Sequence, residues 1–196
     1  MQAHGFRATQ TPMAATLPPI DKDAEIERLT AALERAEGRI AELEALAYED
    51  PLLGVANRRA FLEALTRTLA AAARYQAPAC LIFIDVDALK SINDGFGHAE
   101  GDAALKRIAS IISARIRKAD MLARVGGDEL AIILTNATES EALDKAAALS
   151  ASVAADTCGA ALSISYGVIA LEGFHDAEAA LAAADAQMYA WRRTRR

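Results

Sequence analysis

The sequence predicts an α/β chain, an α+β sandwich of ferredoxin-like type with a mostly antiparallel central sheet flanked by helices, preceded by a coiled-coil helix. Three observations carry this. Ile26, Leu29, Leu33, Ala36, Ile40, Leu43 and Ala47 recur at alternating spacings of three and four, a heptad seam with Glu and Arg between. "PACLIFIDVD" (78–87) and "ARVGGDELAIIL" (123–134) are short, β-rich apolar runs suited to buried strands. Strands and helices then intermix without strict βαβ repetition.

Residues 1–20, rich in Pro, Thr and Ala, read as a flexible leader, and 21–49 as a coiled-coil dimerisation helix. From Ile26 to Ala47 that helix would run about 33 Å. Its apolar stripe cannot be buried by one helix alone, so a partner helix is expected, in a parallel dimer. "YEDPLLGVANRRAF" (48–61) breaks the helix at Pro51 and Gly54 and restarts it near Asn57. A helix over 58–74, a strand over 78–87, a glycine-rich connection over 92–102 and an amphipathic helix over 101–117 follow. A hairpin over 121–134 has Gly126-Gly127 as its two-residue turn signal. A helix over 139–155, a strand pair within 160–171 and a last helix over 176–192 complete residues 50–196 as one domain.

Composition excludes several classes. The net charge of −6 argues against a general nucleic-acid binder, although the chain ends in the basic "WRRTRR". No apolar run reaches the roughly 20 residues of a membrane-spanning helix, and the first residues lack a signal-peptide pattern, so no membrane insertion is expected. Cys80 and Cys158 have no CxxC neighbour and His4, His98 and His175 are scattered, so no thiol or histidine metal site is indicated. A cytoplasmic location fits these features.

The chemistry is carried by acids at strand ends. Asp85 and Asp87 are two apart, so on a strand they share a face, with Ile84 and Val86 on the other. A carboxylate on an apolar strand is costly to bury unless it is paired or binds a metal. If the hairpin lies beside this strand, Asp128 and Glu129 approach Asp85 and form an oxygen-rich site for Mg²⁺ or Mn²⁺. The alternative is that the acids only terminate strands and pair with Lys90 or Arg124. "GFGHAEG" satisfies neither GxGxxG nor GxxxxGK[ST], so dinucleotide and P-loop readings fail. From the residues alone, the reading stops at a metal-assisted phosphate or nucleotide site.

Five ordered motifs, "DPLLGVANR", "IDVDALKSINDGFGHAEGD", "RVGGDEL", "SISYGV" and "ADAQMYAWR", resemble the GGDEF diguanylate cyclase domain over roughly residues 48–196, here as a GGDEL variant. The resemblance implies condensation of two GTP into cyclic di-GMP and two pyrophosphates, at a site shared between two domains of a homodimer. It implies two Mg²⁺ (or Mn²⁺) per half-site, held by Asp85, Asp128 and the carbonyl of Val86. Glu129 would be the second signature acid, as ligand or in activating the 3′-hydroxyl. Asn93 and Asp102 would read guanine, whose N1–H and N2–H₂ donors adenine lacks. Gly126 and Gly127 would let the nucleotide lie across the turn. Lys90, Arg192 and Arg196 would contact the triphosphate. "RKAD", Arg117 to Asp120, stands where the family carries its product-inhibition site.

The departures are Leu130 for Phe, expected to face the core, Leu53 and Ala56 in the junction, Gln187 and Trp191 in the last helix, and Arg192 where the family usually has Lys. The rival reading is a catalytically silent cyclic di-GMP receptor; such proteins typically lose signature acids, and Asp85, Asp128 and Glu129 are all present. No sensor is recognisable, which leaves room for an unidentified regulatory protein.

Overall fold

The computed structural model describes residues 21–194; the leader and Arg196 lie outside them. The chain divides into two compact units between Ala41 and Glu42. Helix α1 (Lys22–Tyr48) begins where the Asp21 carboxylate accepts the Asp23 and Ala24 amides at 3.1 and 3.3 Å, an N-cap contact. Along it Ile26, Leu29, Leu33, Ile40 and Leu43 are each more than half exposed (51–61%). A row of large apolar side chains this open leaves the stripe without cover among the described residues.

Pro51 cannot continue a helix, and the chain turns on Asp50. Its Oδ1 accepts the Leu52 and Leu53 amides at 3.0 and 2.9 Å, and Gly54 takes φ +64°. A short strand that sequence reading did not anticipate, β1 (Ala56–Asn57), follows. Asn57 then caps α2 (Arg58–Tyr75), its Oδ1 accepting the Ala60 amide at 3.0 Å. The same side chain donates to the Ala47 carbonyl at 3.0 Å, so one residue ties the end of α1 to the start of α2.

The remaining elements are β2 (Ala79–Val86), α3 (Leu89–Phe96), α4 (His98–Ser113), β3 (Met121–Arg124), β4 (Glu129–Thr135), α5 (Glu139–Ala154), β5 (Ile164–Ala170) and α6 (Ala177–Thr194). The five strands form one sheet in the order β1-β3-β4-β2-β5. Every pairing is antiparallel except β1 with β3. The mostly antiparallel sheet flanked by helices is therefore the architecture expected.

Strand alternation divides the core in two. On one face Ile82, Ile84, Val86, Leu130 and Ile132 pack with Leu105, Ile108 and Ile112 of α4 and Leu149 of α5. On the other, Leu81, Phe83, Ala131 and Ile133 pack with Phe61 and Leu65 of α2 and Leu181 and Met188 of α6. Leu130, expected to face the core, is fully buried. By the same period of two, Asp85 continues the row of Leu81 and Phe83 toward α6.

Three local expectations need correction. The glycine-rich stretch 92–102 is almost wholly helical, because Gly97 at φ +88° makes the whole turn between α3 and α4. Gly95 and Gly101 are absorbed into those helices, and α4 ends at Ser113, before "RKAD" begins. Within 160–171 there is one strand, β5, and not a pair; it hydrogen-bonds to β2 alone. Gly126-Gly127 is not a two-residue turn. Residues 125–128 separate the strands, closed by the Val125 and Gly126 amides donating to the Glu129 carbonyl at 3.0 and 3.3 Å, and neither glycine has positive φ.

Candidate active site

The site lies where β2, β4 and β5 end together. Asp85 is the ladder partner of Glu129 on β4 and of Ser165 on β5. Facing residues of an antiparallel pair project to the same side of the sheet, so the acids expected to meet do meet. The Val86 amide donates to the Asp128 carbonyl at 3.0 Å, which fastens the turn bearing Asp128 to the end of β2. Gly126 permits the arrangement of Glu129: a Cβ there would stand 2.0 Å from Glu129 Oε2, so the carboxylate lies over a bare backbone. Gly127 has open space beside it.

The cation of this cluster is Arg192. Its Nη1 lies 2.7 Å from Asp85 Oδ1 and its Nη2 3.3 Å from Asp87 Oδ1. Asp87 is also held by the hydroxyls of Ser163 and Ser165, donating at 2.8 and 2.7 Å. The acids thus pair with neither Lys90 nor Arg124. Arg124 is committed elsewhere, to Asp50 at 3.3 Å and to the carbonyls of Gly126 and Gly127 at 3.1 and 2.7 Å. Those bonds bind the acidic turn to the junction that follows α1.

Packing delivers Arg192 to this place. Gly167 on β5 lets α6 come down onto the sheet: a Cβ there would meet the Ala184 carbonyl at 2.2 Å and the Met188 amide at 2.4 Å. Two turns on, Trp191 lies against Tyr166 with ring centroids 4.7 Å apart, so the end of α6 is held by the edge strand.

Burial pushes the Asp85 carboxyl up to about 6; Arg192 acts against the shift, while Asp128, Asp87 and Glu129 add to it. Burial likewise raises Glu129, helped by Asp128 and Asp185 and opposed by Arg58. Asp85 Oδ1 is buried and accepts no hydrogen bond of regular geometry despite the nearby guanidinium. Among the described residues no three Asp, Glu, His or Cys side chains form a ready-made metal cage. Even so, a hard cation fits the donor set, because one buried carboxylate oxygen is poorly satisfied and further carboxylates crowd it.

Other expected residues lie on α3, on α4 and in the turn after α4. Lys90 and Asp102 are exposed, on α3 and α4. The Asn93 amide group rests on the Cα of Gly101, where a Cβ would stand 1.9 Å from its Oδ1, so Asn93 neighbours the residue preceding Asp102. Arg117 and Asp120 close their own turn after α4: the Asp120 amide donates to the Arg117 carbonyl at 3.0 Å and Asp120 Oδ2 accepts the Arg117 amide at 2.9 Å. Asp120 Oδ1 accepts from the Thr135 amide at 3.4 Å. Thr135 is six residues along β4 from Glu129, so this turn is about 20 Å from the acids.

Residues 47–196 match the family model described as "Diguanylate cyclase, GGDEF domain". The chain belongs to the GGDEF family. It is 39% identical over 156 residues to diguanylate cyclase DgcP of Pseudomonas aeruginosa, a match covering 76% of this chain and 23% of that protein. The chain spans between 20% and 32% of the length of the first relatives it matches. Its fold resembles the coiled coil and GGDEF domain of DgcB from Caulobacter crescentus, solved with c-di-GMP (TM-score 0.82, 27% identity, 88% of this chain and 94% of that one). It also resembles diguanylate cyclase SiaD of Pseudomonas aeruginosa, solved with its activator SiaC (TM-score 0.71, 27% identity, 87% and 69%).

Sequence reading of this GGDEF domain noted Asp87 as an acid but offered it only Lys90 or Arg124 as partners, and gave no role to Ser163, Ser165 or Gly167. The signal was present in "SISYGV", where alternate serines and a glycine interrupt an otherwise apolar strand. What they touch depends on β5 lying beside β2.

Proposed function

We propose that this GGDEF chain is a diguanylate cyclase, condensing two GTP into cyclic di-GMP with release of two pyrophosphates at a site shared by two domains of a homodimer. The observation that carries the reading is the facing of Asp85 and Glu129 across β2 and β4, with Asp128 fastened to Val86 beside them. Asp85, Asp128, Glu129 and the Val86 carbonyl would hold Mg²⁺ or Mn²⁺, two per half-site. The metal supplies charge neutralisation on the triphosphate and makes a 3′-hydroxyl easier to deprotonate.

Each domain supplies half of the reaction. The 3′-oxygen of one nucleotide attacks the α-phosphorus of the other; the bond to the β-phosphate oxygen breaks and pyrophosphate leaves. Repetition in the opposite sense closes the ring. Glu129, held in a partly buried acidic setting, serves as ligand or receives the hydroxyl proton. Asn93 and Asp102 read the guanine edge, the bare backbone at Gly126 and Gly127 receives the nucleotide, and Lys90, Arg192 and Arg196 bind the triphosphate. The exposed seam of α1 brings two chains together, which raises the effective concentration of the partner site.

Arg117 and Asp120 form the product-binding turn, with the Arg117 side chain exposed and suited to guanine O6 and N7. The distance of this turn from the acids makes feedback allosteric. That DgcB was solved with c-di-GMP and SiaD with an activator supports product binding and control by a regulatory protein here. Among the described residues no helix is long and apolar enough to cross a membrane, in keeping with work in the cytoplasm on GTP.

The test is incubation of the purified chain with GTP and Mg²⁺ and chromatography of the nucleotides, with Asp128→Asn/Glu129→Gln as control. Cyclic di-GMP from the native chain alone supports the cyclase. Tight cyclic di-GMP binding with no turnover at high protein concentration would replace it with a silent receptor.

A further inference from the structure

Arg192 and the metal expected at Asp85 cannot use the same oxygen. The guanidinium approaches the buried Oδ1 of Asp85 to 2.7 Å, and two cations sharing one carboxylate oxygen repel strongly where water is scarce. A cation that bonds this buried Oδ1 therefore requires Arg192 to leave it, and a partly buried guanidinium is not released to nothing at low cost. Asp87 offers the second seat. Its Oδ1 is already 3.3 Å from the other terminal nitrogen of Arg192. It cannot swing with the arginine, because Ser163 and Ser165 hold both of its oxygens at 2.8 and 2.7 Å, and its own amide donates to the Ser163 carbonyl at 3.0 Å.

We propose that Asp87 is a positioning residue that draws Arg192 off Asp85, so that the arginine gives up the metal's place while staying at the mouth of the site to meet the triphosphate. The inference rests on the cyclase reading above. In the arrangement described, Arg192 bridges both acids as their counter-ion. With a divalent cation on Asp85 it is held by Asp87 alone. The serines matter because they keep that second seat in one position, so the guanidinium moves over it without leaving the site.

The experiment is a double-mutant cycle on the full chain, read as Mn²⁺ affinity by electron paramagnetic resonance without nucleotide. Asp87→Asn keeps the shape and a serine bond but removes the charge, and Arg192→Gln removes the competitor. Asp87→Asn is expected to weaken Mn²⁺ binding about tenfold by leaving Arg192 on Asp85, an ordinary coupling for contacting charges. Arg192→Gln is expected to tighten it. The decisive variant is Asp87→Asn/Arg192→Gln, expected within about twofold of Arg192→Gln alone. If the loss persists in that double variant, Asp87 acts on the metal directly and the proposal is overturned. If Arg192→Gln does not tighten binding, the competition does not exist. A native chain that makes cyclic di-GMP but shows either of these results sinks this inference and leaves the cyclase standing. A native chain that neither binds Mn²⁺ nor turns over GTP removes both.

Discussion

Asp85 and Glu129 are ladder partners in the β2–β4 pairing, so two carboxylates face each other on the same side of the sheet, where the row above them is filled by Phe83 and Ala131. Like charges placed directly opposite destabilise a sheet. This pairing therefore costs stability, which Arg192 beside Asp85 offsets in part.

The pH dependence follows. Burial, with Asp128, Asp87 and Glu129 in the same direction and Arg192 against it, raises Asp85 to about 6, above the unfolded value of about 3.9. A carboxyl raised on folding contributes stability that is fully present below the unfolded value and lost as pH rises through the folded one. At pH 7.5 that contribution is gone. Asp85→Asn is expected to be more stable than the native chain at pH 7.5 by on the order of 1–3 kcal/mol. Arg192 keeps a partner in Asp87. Thermal melts from pH 4 to 8 in EDTA check this; a gap between the two proteins that does not narrow toward pH 4 refutes it.

Gly126 separates folding from function. An alanine methyl there meets Glu129 Oε2 at 2.0 Å, the movable end of a side chain. Gly126→Ala is expected to cost less than about 1 kcal/mol of stability and, on the proposed cyclase reading, to lower cyclic di-GMP synthesis at least tenfold by displacing Glu129. Gly127→Ala, which meets nothing within 4 Å, is expected to fold equally well. Urea melts beside initial rates are the measurement; a fully active Gly126→Ala would show that the place of Glu129 is unimportant.

Gly167 predicts the opposite balance. A methyl there meets the α6 backbone at Ala184 and Met188, which cannot rotate away. Gly167→Ala is expected to destabilise by about 1–3 kcal/mol, as overpacking of a filled core does, and to weaken nucleotide binding because Arg192 rides on the displaced helix. Urea unfolding and binding of a non-hydrolysable GTP analogue test both halves. Native-like stability would mean that α6 sits farther from β5 than described.

Leu33 and Ile40 are 59% and 54% exposed on α1. If this stripe is a dimer seam, Leu33→Asp/Ile40→Asp is expected to sediment as a monomer with little change in the melting of the GGDEF domain. Turnover per domain should fall at nanomolar protein and recover at high concentration. Dimers that survive the double substitution would place the interface elsewhere.

Much of the fold was legible because it depends on neighbours in the chain. The three-and-four spacing from Ile26 to Leu43 is a helix wherever it lies, and Pro51, Gly54 and Asn57 mark a break and a restart through local backbone and capping chemistry. Asp85 and Asp87 share a face because a strand alternates. Where reading failed, the local signal was ambiguous: glycines at 95, 97 and 101 look like a loop, yet only Gly97 takes positive φ, and Gly101 is a helical glycine occupied by Asn93.

By itself the sequence determined most of the elements, the five ordered GGDEF motifs and which residue types carry the chemistry. Tertiary structure alone decided who meets whom. Asp87 and its serines are separated by 76 and 78 residues, and Arg192 reaches Asp85 only because β2 lies between β4 and β5 and Gly167 admits α6 close to the sheet. Propensity, period and capping act over a few residues, so they settle what each segment becomes. Strand order and helix approach are set by how all the apolar faces are buried at once, a condition no short stretch contains.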